Sequence, residues 1–278
     1  MDITFCLDQL VPSKQMNRFH SGLREILYLR VQNSYYIEYC PWKEFGDPSI
    51  NEILQFIQDH RTLPPFLEFL LNLEKEKDTI QCSSFLNHFL ATPDSDIAKA
   101  PVVKIKTPNS LFQLNQQIDH CKSVRLDFNN YENHDELLVW ANSLTQTQIN
   151  KIQYIEDPSG NMAVNRQLLS LGLMLAADRN DYDNSIYTFD IYKPNIDGIP
   201  LNKNVIFSSY MGGDLGRYHA YLALMKYGDL RTYHGLDTPS LYQNQLQLFN
   251  VRDCHAELNI NALEQVYSQL SEKKWQTL

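Results

Sequence analysis

Residues 102–106 read Val-Val-Lys-Ile-Lys, a short β-prone run that ends on a lysine. Four further short runs end on a charged residue in the same way: Val124-Arg-Leu-Asp127, Tyr154-Ile-Glu156, Leu175-Ala-Ala-Asp178 and Phe189-Asp-Ile-Tyr-Lys193. A charge at the C-terminal end of one strand after another is typical of the active-site face of a (β/α)8 barrel. Converging acids would repel one another unless a cation lay between them. The order therefore predicts a metal-assisted α/β enzyme with a lysine on each side of its substrate.

The spacing of these runs predicts a shortened barrel. From about residue 100, short apolar runs alternate with amphipathic stretches, which indicates parallel strands joined by crossover helices. About 165 residues are available up to Leu263, whereas full barrels usually take roughly 200 or more. Only 15 positions separate Asp178 from Lys193, so we expect the helix between these strands to be reduced to about one turn or lost. We predict a (β/α)7β-type TIM barrel over residues 98–263.

Residues 1–97 have a different pattern, which predicts a small α+β domain. Residues 26–31 and 34–39 are β-rich and flank Gln-Asn, which indicates a hairpin. A helix should begin after Ser49, because Glu52 follows at the spacing of a capping box. A second helix should follow the prolines that come after Leu63. Residues 11–22 show no periodicity and are predicted to form a loop, and residues 264–278 are candidates for packing on this domain.

Composition restricts the classes of partner. The net charge is −9 and no basic stripe is present, which argues against nucleic acid. No apolar run approaches the ~18 residues of a membrane span. The five cysteines include no Cys-x-x-Cys pair, and the first residues lack a signal-like stretch, so we expect a cytoplasmic protein with reduced thiols. A small anionic substrate is compatible with this net charge. The sequence leaves the oligomeric state open, and a monomer is compatible with the composition.

Taken together, the motifs resemble the enolase superfamily and, within it, the o-succinylbenzoate synthases of menaquinone biosynthesis. The Lys104-x-Lys106 pair, the acidic strand ends, Glu156-Asp-Pro158 and Lys193-Pro194 occur in the family's order. The stretch from Val205 to Gly216 resembles the family's Ser-rich turn followed by Gly. The stretch from Thr232 to Thr238 resembles its Gly-Leu-Asp-Thr segment. Residues 24–42 look like its capping domain, so the resemblance covers nearly the whole chain.

The resemblance implies one Mg2+, with Mn2+ as a possible substitute, bound by Asp127, Glu156 and Asp178. It implies that Lys106 is the general base, since a neighbouring Lys104 and a metal ion both disfavour a charged lysine. Lys193 would hold its positive charge on the opposite face of the substrate. The remaining implied contacts are with the carboxylates or the substrate tail: Arg125, Asn129, Ser208, Ser209, Gly212, Gly213 and the loop from Lys14 to His20.

The reaction implied is a hydro-lyase step, the dehydration of 2-succinyl-6-hydroxy-2,4-cyclohexadiene-1-carboxylate to o-succinylbenzoate. Two stretches depart from the family's pattern: Arg179-Asn180 stands where Glu-Ser is typical, and Tyr210-Met211-Gly212 where Ser-Ile-Glu is typical. Other superfamily activities remain alternatives, namely N-succinylamino acid racemisation, another epimerisation or cycloisomerisation. The absence of an Asp-x-Asp motif near residues 197–214 favours the synthase over a dipeptide epimerase. A barrel kept only as a binding scaffold is a further alternative.

Overall fold

The computed structural model describes residues 2–13, 22–91, 96–106, 111–178, 184–199, 204–237 and 241–278. Its first sheet is an antiparallel meander of three strands, β1 (Ile3–Leu10), β2 (Arg24–Val31) and β3 (Tyr35–Tyr39). Three residues, 32–34, connect β2 and β3, and Gln32 and Asn33 have φ values of +53° and +56°. The N–H of Ser34 donates to the carbonyl oxygen of Val31 at 3.2 Å, so Gln32 and Asn33 are the central residues of a tight turn with positive φ. The predicted hairpin is confirmed.

Two helices pack beside this sheet. The first, α1 (Ile50–His60), begins after Ser49, whose side chain and that of Glu52 form the predicted capping box. The second, α2 (Pro65–Glu76), has a proline in its first turn, where the missing N–H removes no helical hydrogen bond. We call residues 2–80, apart from 14–21, the cap.

A parallel sheet of seven strands follows, with its strands in chain order from one edge to the other. It is formed by β5 (Phe89–Leu90), β6 (Val103–Lys106), β7 (Val124–Asp127), β8 (Ile152–Glu156), β9 (Leu175–Ala177), β10 (Phe189–Tyr192) and β11 (Val205–Phe207). Two short strands join its edges, β4 (Phe85–Asn87) and β12 (Tyr233–His234), which pair in parallel. Because Ser208 bridges to Gly235 beyond β12 and β4 leads directly into β5, the curled sheet closes on itself.

The connections between the barrel strands differ in their helical content, as the small number of residues available for the barrel predicted. Helices of two turns or more follow β6 to β8 and β11, whereas the described part of the β9–β10 connection contains one 3-10 turn, Asn184–Ile186. The connection after β10 contains a helix of four residues. The helices are α3 (Leu111–His120), α4 (His134–Ser143), α5 (Gln146–Lys151), α6 (Met162–Ser170), α7 (Pro194–Asp197) and α8 (Asp214–Tyr227).

The chain ends by returning to the cap. After β13 (Phe249–Arg252), β14 (His255–Leu258) and α9 (Ile260–Ser271), the last strand β15 (Gln276–Thr277) pairs antiparallel with β1. The C-terminal residues therefore pack on the cap sheet. In contrast, β5 precedes the boundary proposed near residue 97 and yet is hydrogen bonded to β6, so the barrel sheet begins earlier. The domain limits 1–97 and 98–263 stay predictions.

Two apolar cores hold these layers together. One joins the cap sheet and α2 to α8, which is buried along ten consecutive residues, 215–224. The other fills the space between β6–β9 and helices α3, α4 and α6. A helix buried on all sides must lie between two layers, so α8 connects cap and barrel. All five cysteines are free, and in the described ranges no helix has the length and apolar character needed to cross a bilayer.

Candidate active site at the barrel mouth

Parallel strands bring the predicted charged residues to one end of the barrel. Lys106, Asp127 and Glu156 are the last residues of β6, β7 and β8, and they are register partners in that order. Asp178 and Lys193 come one residue after β9 and β10. Because all these strands run in the same direction, the five residues lie at the C-terminal face, which we call the barrel mouth.

Lys104 lies two residues before Lys106 in β6, on the same face of the strand and below the mouth. Its ammonium nitrogen is 2.8 and 2.7 Å from the two carboxylate oxygens of Glu156 and 3.0 Å from Oδ2 of Asp127. Burial alone would lower the pKa of Lys104, but the two carboxylates raise it well above its ordinary value. Lys104 is therefore a buried ammonium group that bridges two acids.

The two acids that share Lys104 differ in their affinity for a proton. Burial raises the pKa of Glu156 to about 7; Lys104 opposes this, and the charges of Asp127 and Asp178 add to it. Burial also acts on Asp127, yet Lys104, Lys106 and Lys193 together bring its pKa below the ordinary value. Neighbouring carboxylates in one site commonly divide in this way. Burial therefore outweighs the lysine at Glu156, whereas the lysines outweigh burial at Asp127.

Lys193 makes a second ion pair at the mouth. Its ammonium nitrogen lies 2.5 Å from both oxygens of Asp178. Burial would lower the pKa of Lys193, but Asp178 outweighs it and the pKa is raised. Lys106 is exposed by comparison, and its charge still reaches Asp127. The two lysines predicted to act on the substrate therefore belong to strands on either side of the three acids.

The loops after β7 and β8 adopt strained backbone conformations that bring them together. Asn129, Asn130 and Asp157 have φ values of +48°, +59° and +42°, in the left-handed region that Asn and Asp tolerate best among non-glycine residues. The N–H of Asn130 donates to the carbonyl oxygen of Asp157 at 2.7 Å. Strain of this kind is concentrated at functional sites. Asn129, predicted to orient a carboxylate, lies in this pair of loops.

Asp157 is a residue of the site that the sequence reasoning did not single out. Its Oδ1 accepts a hydrogen bond from the N–H of Asp178 at 3.0 Å. Burial, with Asp178 and Glu156 nearby, raises its pKa well above the ordinary value. The contact fixes the chain at the end of β9, where Asp178 lies. Its position directly after Glu156, in the Glu-Asp-Pro motif, was the available signal.

Arg125 lies below the mouth and connects strands. Its Nε donates to Gln153 at 2.7 Å and its Nη1 donates to the carbonyl oxygen of Tyr233 at 2.7 Å. The same Nη1 lies 3.3 Å from Nδ1 of His88; since arginine only donates, Nδ1 accepts and the proton of a neutral imidazole is on Nε2. Burial and the nearby cations lower the pKa of His88 well below its ordinary value. These bonds correct the expectation that Arg125 orients the acids.

The turn after β11 also differs from expectation. Ser208 bridges to Gly235 and its N–H donates to the carbonyl oxygen of Tyr192, which brings the turn to the mouth beside Lys193. The N–H of Gly213, however, donates to Oε1 of Glu38 at 2.6 Å. It therefore faces the cap, which corrects the expectation that this N–H binds a substrate tail.

The remaining residues named in the sequence analysis are either buried near the mouth or outside the described part of the chain. Ser209 and Gly212 are buried in the same turn. The loop from Lys14 to His20 and the pair Arg179-Asn180 lie outside the described residues. Two histidines that were not predicted as site residues, His219 and His234, are fully buried, in contact with Glu74 and with the carbonyl oxygen of Asp229 respectively.

The donor chemistry of the mouth fits a hard divalent cation. Asp127, Glu156 and Asp178 offer carboxylate oxygens from three adjacent strands, the ligands that Mg2+ and Mn2+ prefer. Within the described ranges, no three His, Cys, Asp or Glu side chains converge closely enough to hold a metal, because the carboxylates face ammonium groups instead. Binding of a cation therefore requires Lys104 and Lys193 to turn away from these oxygens.

Comparisons with known proteins support the fold. No protein-family model and no curated protein matches the chain. Among solved structures, it resembles the o-succinylbenzoate synthase of Thermosynechococcus elongatus BP-1, solved with magnesium in the active site, at 15% identity and a TM-score of 0.72, covering 97% of this chain and 100% of the other.

Two further structures show the same likeness. MenC from Desulfotalea psychrophila LSv54 matches at 13% identity and a TM-score of 0.68, covering 93% and 99% of the two chains. The dipeptide epimerase of Enterococcus faecalis V583 matches at 11% identity and a TM-score of 0.65, covering 93% and 96%. These neighbours have different activities, and identities this low show the fold alone. The chain therefore has the cap-and-barrel fold of these structures.

Proposed function

We propose that this chain is a Mg2+-dependent o-succinylbenzoate synthase, which dehydrates 2-succinyl-6-hydroxy-2,4-cyclohexadiene-1-carboxylate. The observation that carries the proposal is the meeting of Lys106, three acidic strand ends and Lys193 at one barrel mouth. The Gly235-Leu-Asp-Thr stretch favours the synthase among superfamily activities. Its glycine lies at the mouth, bridged to Ser208.

Lys106 is assigned the proton transfers. As the neutral amine it removes the proton on the ring carbon that bears the carboxylate. The electron pair of that C–H bond then forms a ring double bond while the C–O bond to the neighbouring hydroxyl breaks. The ammonium group of Lys106 gives its proton to the departing hydroxyl, so that water leaves and the ring becomes aromatic. Of the site's lysines, Lys106 is the exposed one, which suits direct contact with substrate.

Asp127, Glu156 and Asp178 would hold the divalent cation. When bound, it supplies positive charge against the negative charge that develops on the substrate carboxylate as the proton leaves. Asp157 holds the main chain at Asp178 through its 3.0 Å hydrogen bond, and so positions one of these acids. Lys104, which contacts Asp127 and Glu156, would turn away from the oxygens that take the cation and supply a second positive charge nearby.

Lys193 is assigned to the face of the ring opposite Lys106. Its pKa is raised where it faces Asp178, because the charge of that carboxylate outweighs burial. A buried ammonium group over a ring that is becoming aromatic is attracted by about 2 kcal/mol or more. The interaction strengthens as aromaticity develops, so it favours the transition state over the ground state.

The test is to incubate the purified chain with the cyclohexadiene carboxylate and Mg2+ and to follow the loss of diene absorbance and the formation of o-succinylbenzoate. We expect turnover that stops in Lys106→Ala and in Lys193→Ala. A parallel incubation with N-succinyl amino acids in D2O reports on the alternative, because two lysines on opposite faces also suit racemisation. Deuterium entry from both enantiomers without any dehydration would replace the synthase by the racemase.

A further inference from the structure

The loop that follows β11, residues 208–213, is held by the cap through its main chain. Nε1 of Trp42 donates to the carbonyl oxygen of Tyr210 at 3.2 Å, and Nη1 of Arg24 donates to that of Met211 at 2.6 Å. Met211 has a φ of +51°, which a residue other than glycine keeps only when its surroundings fix it. The cap therefore sets the path of this loop.

Glu38 of the cap holds the end of the same loop. Its two carboxylate oxygens accept hydrogen bonds from the N–H groups of Gly213 and Gly216, at 2.6 and 2.9 Å. A Cβ at Gly212, Gly213 or Gly216 would come within 2.5 to 2.7 Å of these oxygens, closer than real contacts allow. The glycines thus permit the carboxylate to reach the first turn of α8, where a negative charge is favoured.

The side chain of Tyr210 connects this fixed loop to the barrel mouth. Its hydroxyl donates to Asp47, a residue of the cap, and it is 6% exposed, within an apolar cluster that includes Trp42 and Tyr242. The Nζ atom of Lys193 lies 5.7 Å from the centre of the Tyr210 ring, within the ~6 Å range of a cation–π contact. The side chain of Tyr210 therefore contacts the cap through its hydroxyl, and its ring lies within cation–π range of Lys193.

We propose that Tyr210 is a positioning residue that transmits the placement of the cap to Lys193. The proposal rests on the role given to Lys193 above. A lysine side chain has four rotatable bonds, and confining it costs conformational entropy of up to about 2 kcal/mol. The ring of Tyr210, fixed through Asp47 and through the hydrogen bond from Trp42 to its carbonyl oxygen, confines the ammonium group of Lys193 to its own side of the barrel mouth. Tyr210 stands at one of the two places where the chain departs from the family's pattern.

The first test needs no turnover. In protein with 13C-labelled lysine, the Hε and Cε resonances of Lys193, assigned with Lys193→Arg, should carry a shift from the ring current of Tyr210. We expect Tyr210→Leu to move these resonances toward the values of an exposed lysine and Tyr210→Phe to preserve most of the shift. Tyr36→Leu is the matched control, because it makes the same change at a tyrosine of the cap sheet whose ring contacts Tyr267 and Trp275 instead. Unchanged Lys193 resonances in folded Tyr210→Leu would overturn the proposal.

The second test uses the dehydration assay and separates binding from chemistry. We expect Tyr210→Leu to lower kcat about tenfold with a smaller change in KM, Tyr210→Phe to restore most of it, and Asp47→Asn to lie between. If Tyr210→Leu does not fold, Asp47→Asn supplies both readouts, and an unaltered Lys193 resonance in it would refute the link through the cap. Because the resonances are read without substrate, failure of the synthase assignment leaves the first result interpretable.

Discussion

Lys104 donates to both carboxylate oxygens of Glu156, at 2.8 and 2.7 Å, inside the barrel and across one intervening strand. The same ammonium group lies 3.0 Å from Asp127. A buried ion pair stabilises a fold only weakly in comparison with apolar packing, but removing one partner leaves an uncompensated charge. Here removal of the lysine would leave two carboxylates facing each other, which makes Lys104 important to the stability of the mouth.

We therefore expect Lys104→Met to reduce the free energy of unfolding by about 3–5 kcal/mol at neutral pH. The measurement is urea unfolding followed by circular dichroism. Lys99→Met is the control, because Lys99 pairs with Asp96 at the surface, where its side chain is 86% exposed, and its loss should leave stability unchanged. Equal stability of the two variants would contradict the bridging role of Lys104.

Mg2+ should bind to the wild-type chain and raise its unfolding temperature, because a ligand that binds only the folded state stabilises it. The expected site requires Asp178, so Asp178→Asn should abolish the heat of binding in a calorimetric titration. Asp59→Asn serves as control, since Asp59 is an exposed residue of α1. Unaltered Mg2+ binding in Asp178→Asn would place the cation elsewhere.

The sequence was sufficient to predict that the charged strand ends lie together at the mouth, although it did not single out Asp157. Parallel strands all end at one face of the barrel, so a charged residue at the end of an apolar run is predicted to lie at that face. Asp127, Glu156 and Lys193 follow this rule. The shortened β9–β10 connection followed from the 15 positions between Asp178 and Lys193, since so few residues leave little room for a crossover helix.

The same reasoning could not predict which partner each side chain reaches. Arg125 shares a face with Asp127, but its long side chain reaches Tyr233 on another strand. Gly213 was expected to face a substrate, but its N–H is bonded to Glu38, 175 positions earlier. Periodicity sets the face of a strand, whereas these contacts depend on how cap and barrel dock. That docking depends on apolar surfaces that no single motif encodes.

Gly216→Ala should destabilise the fold by about 1–3 kcal/mol, despite the better helix propensity of alanine. The added Cβ would lie 2.5 Å from Oε1 of Glu38 and 3.1 Å from Nδ2 of Asn195. The carboxylate of Glu38 cannot move away from this Cβ without losing its hydrogen bonds to the N–H groups of Gly213 and Gly216. Urea unfolding measures the change.

Gly160→Ala provides the comparison for this substitution, because a Cβ there meets nothing within 4 Å and should be tolerated. Glu38→Ala should relieve the clash, so the double variant Glu38→Ala/Gly216→Ala should be more stable than the sum of the two single changes predicts. Strict additivity would show that the Gly216 position is restricted by something other than Glu38.

Glu38 should also make stability depend on pH. Burial raises the pKa of Glu38 from 4.5 to about 7, against the lowering effect of its two backbone donors and Arg217, while Asp214 adds to the rise. The folded state thus binds this proton more tightly than the unfolded state does. The resulting contribution, roughly 3 kcal/mol for a shift of this size, is fully present below about pH 4.5 and is lost as the pH rises through about 7.

The measurement compares the free energy of unfolding of the wild type with that of Glu38→Gln between pH 5 and 8. The wild type should lose stability relative to the variant as the pH rises, because glutamine carries no charge that burial could penalise. Glu257→Gln changes an exposed residue of β14 and should run parallel to the wild type. If Glu38→Gln also ran parallel to the wild type, the carboxylate would have to be ionised throughout this range. In that case the N–H groups of Gly213 and Gly216 would outweigh the burial that separates Glu38 from water.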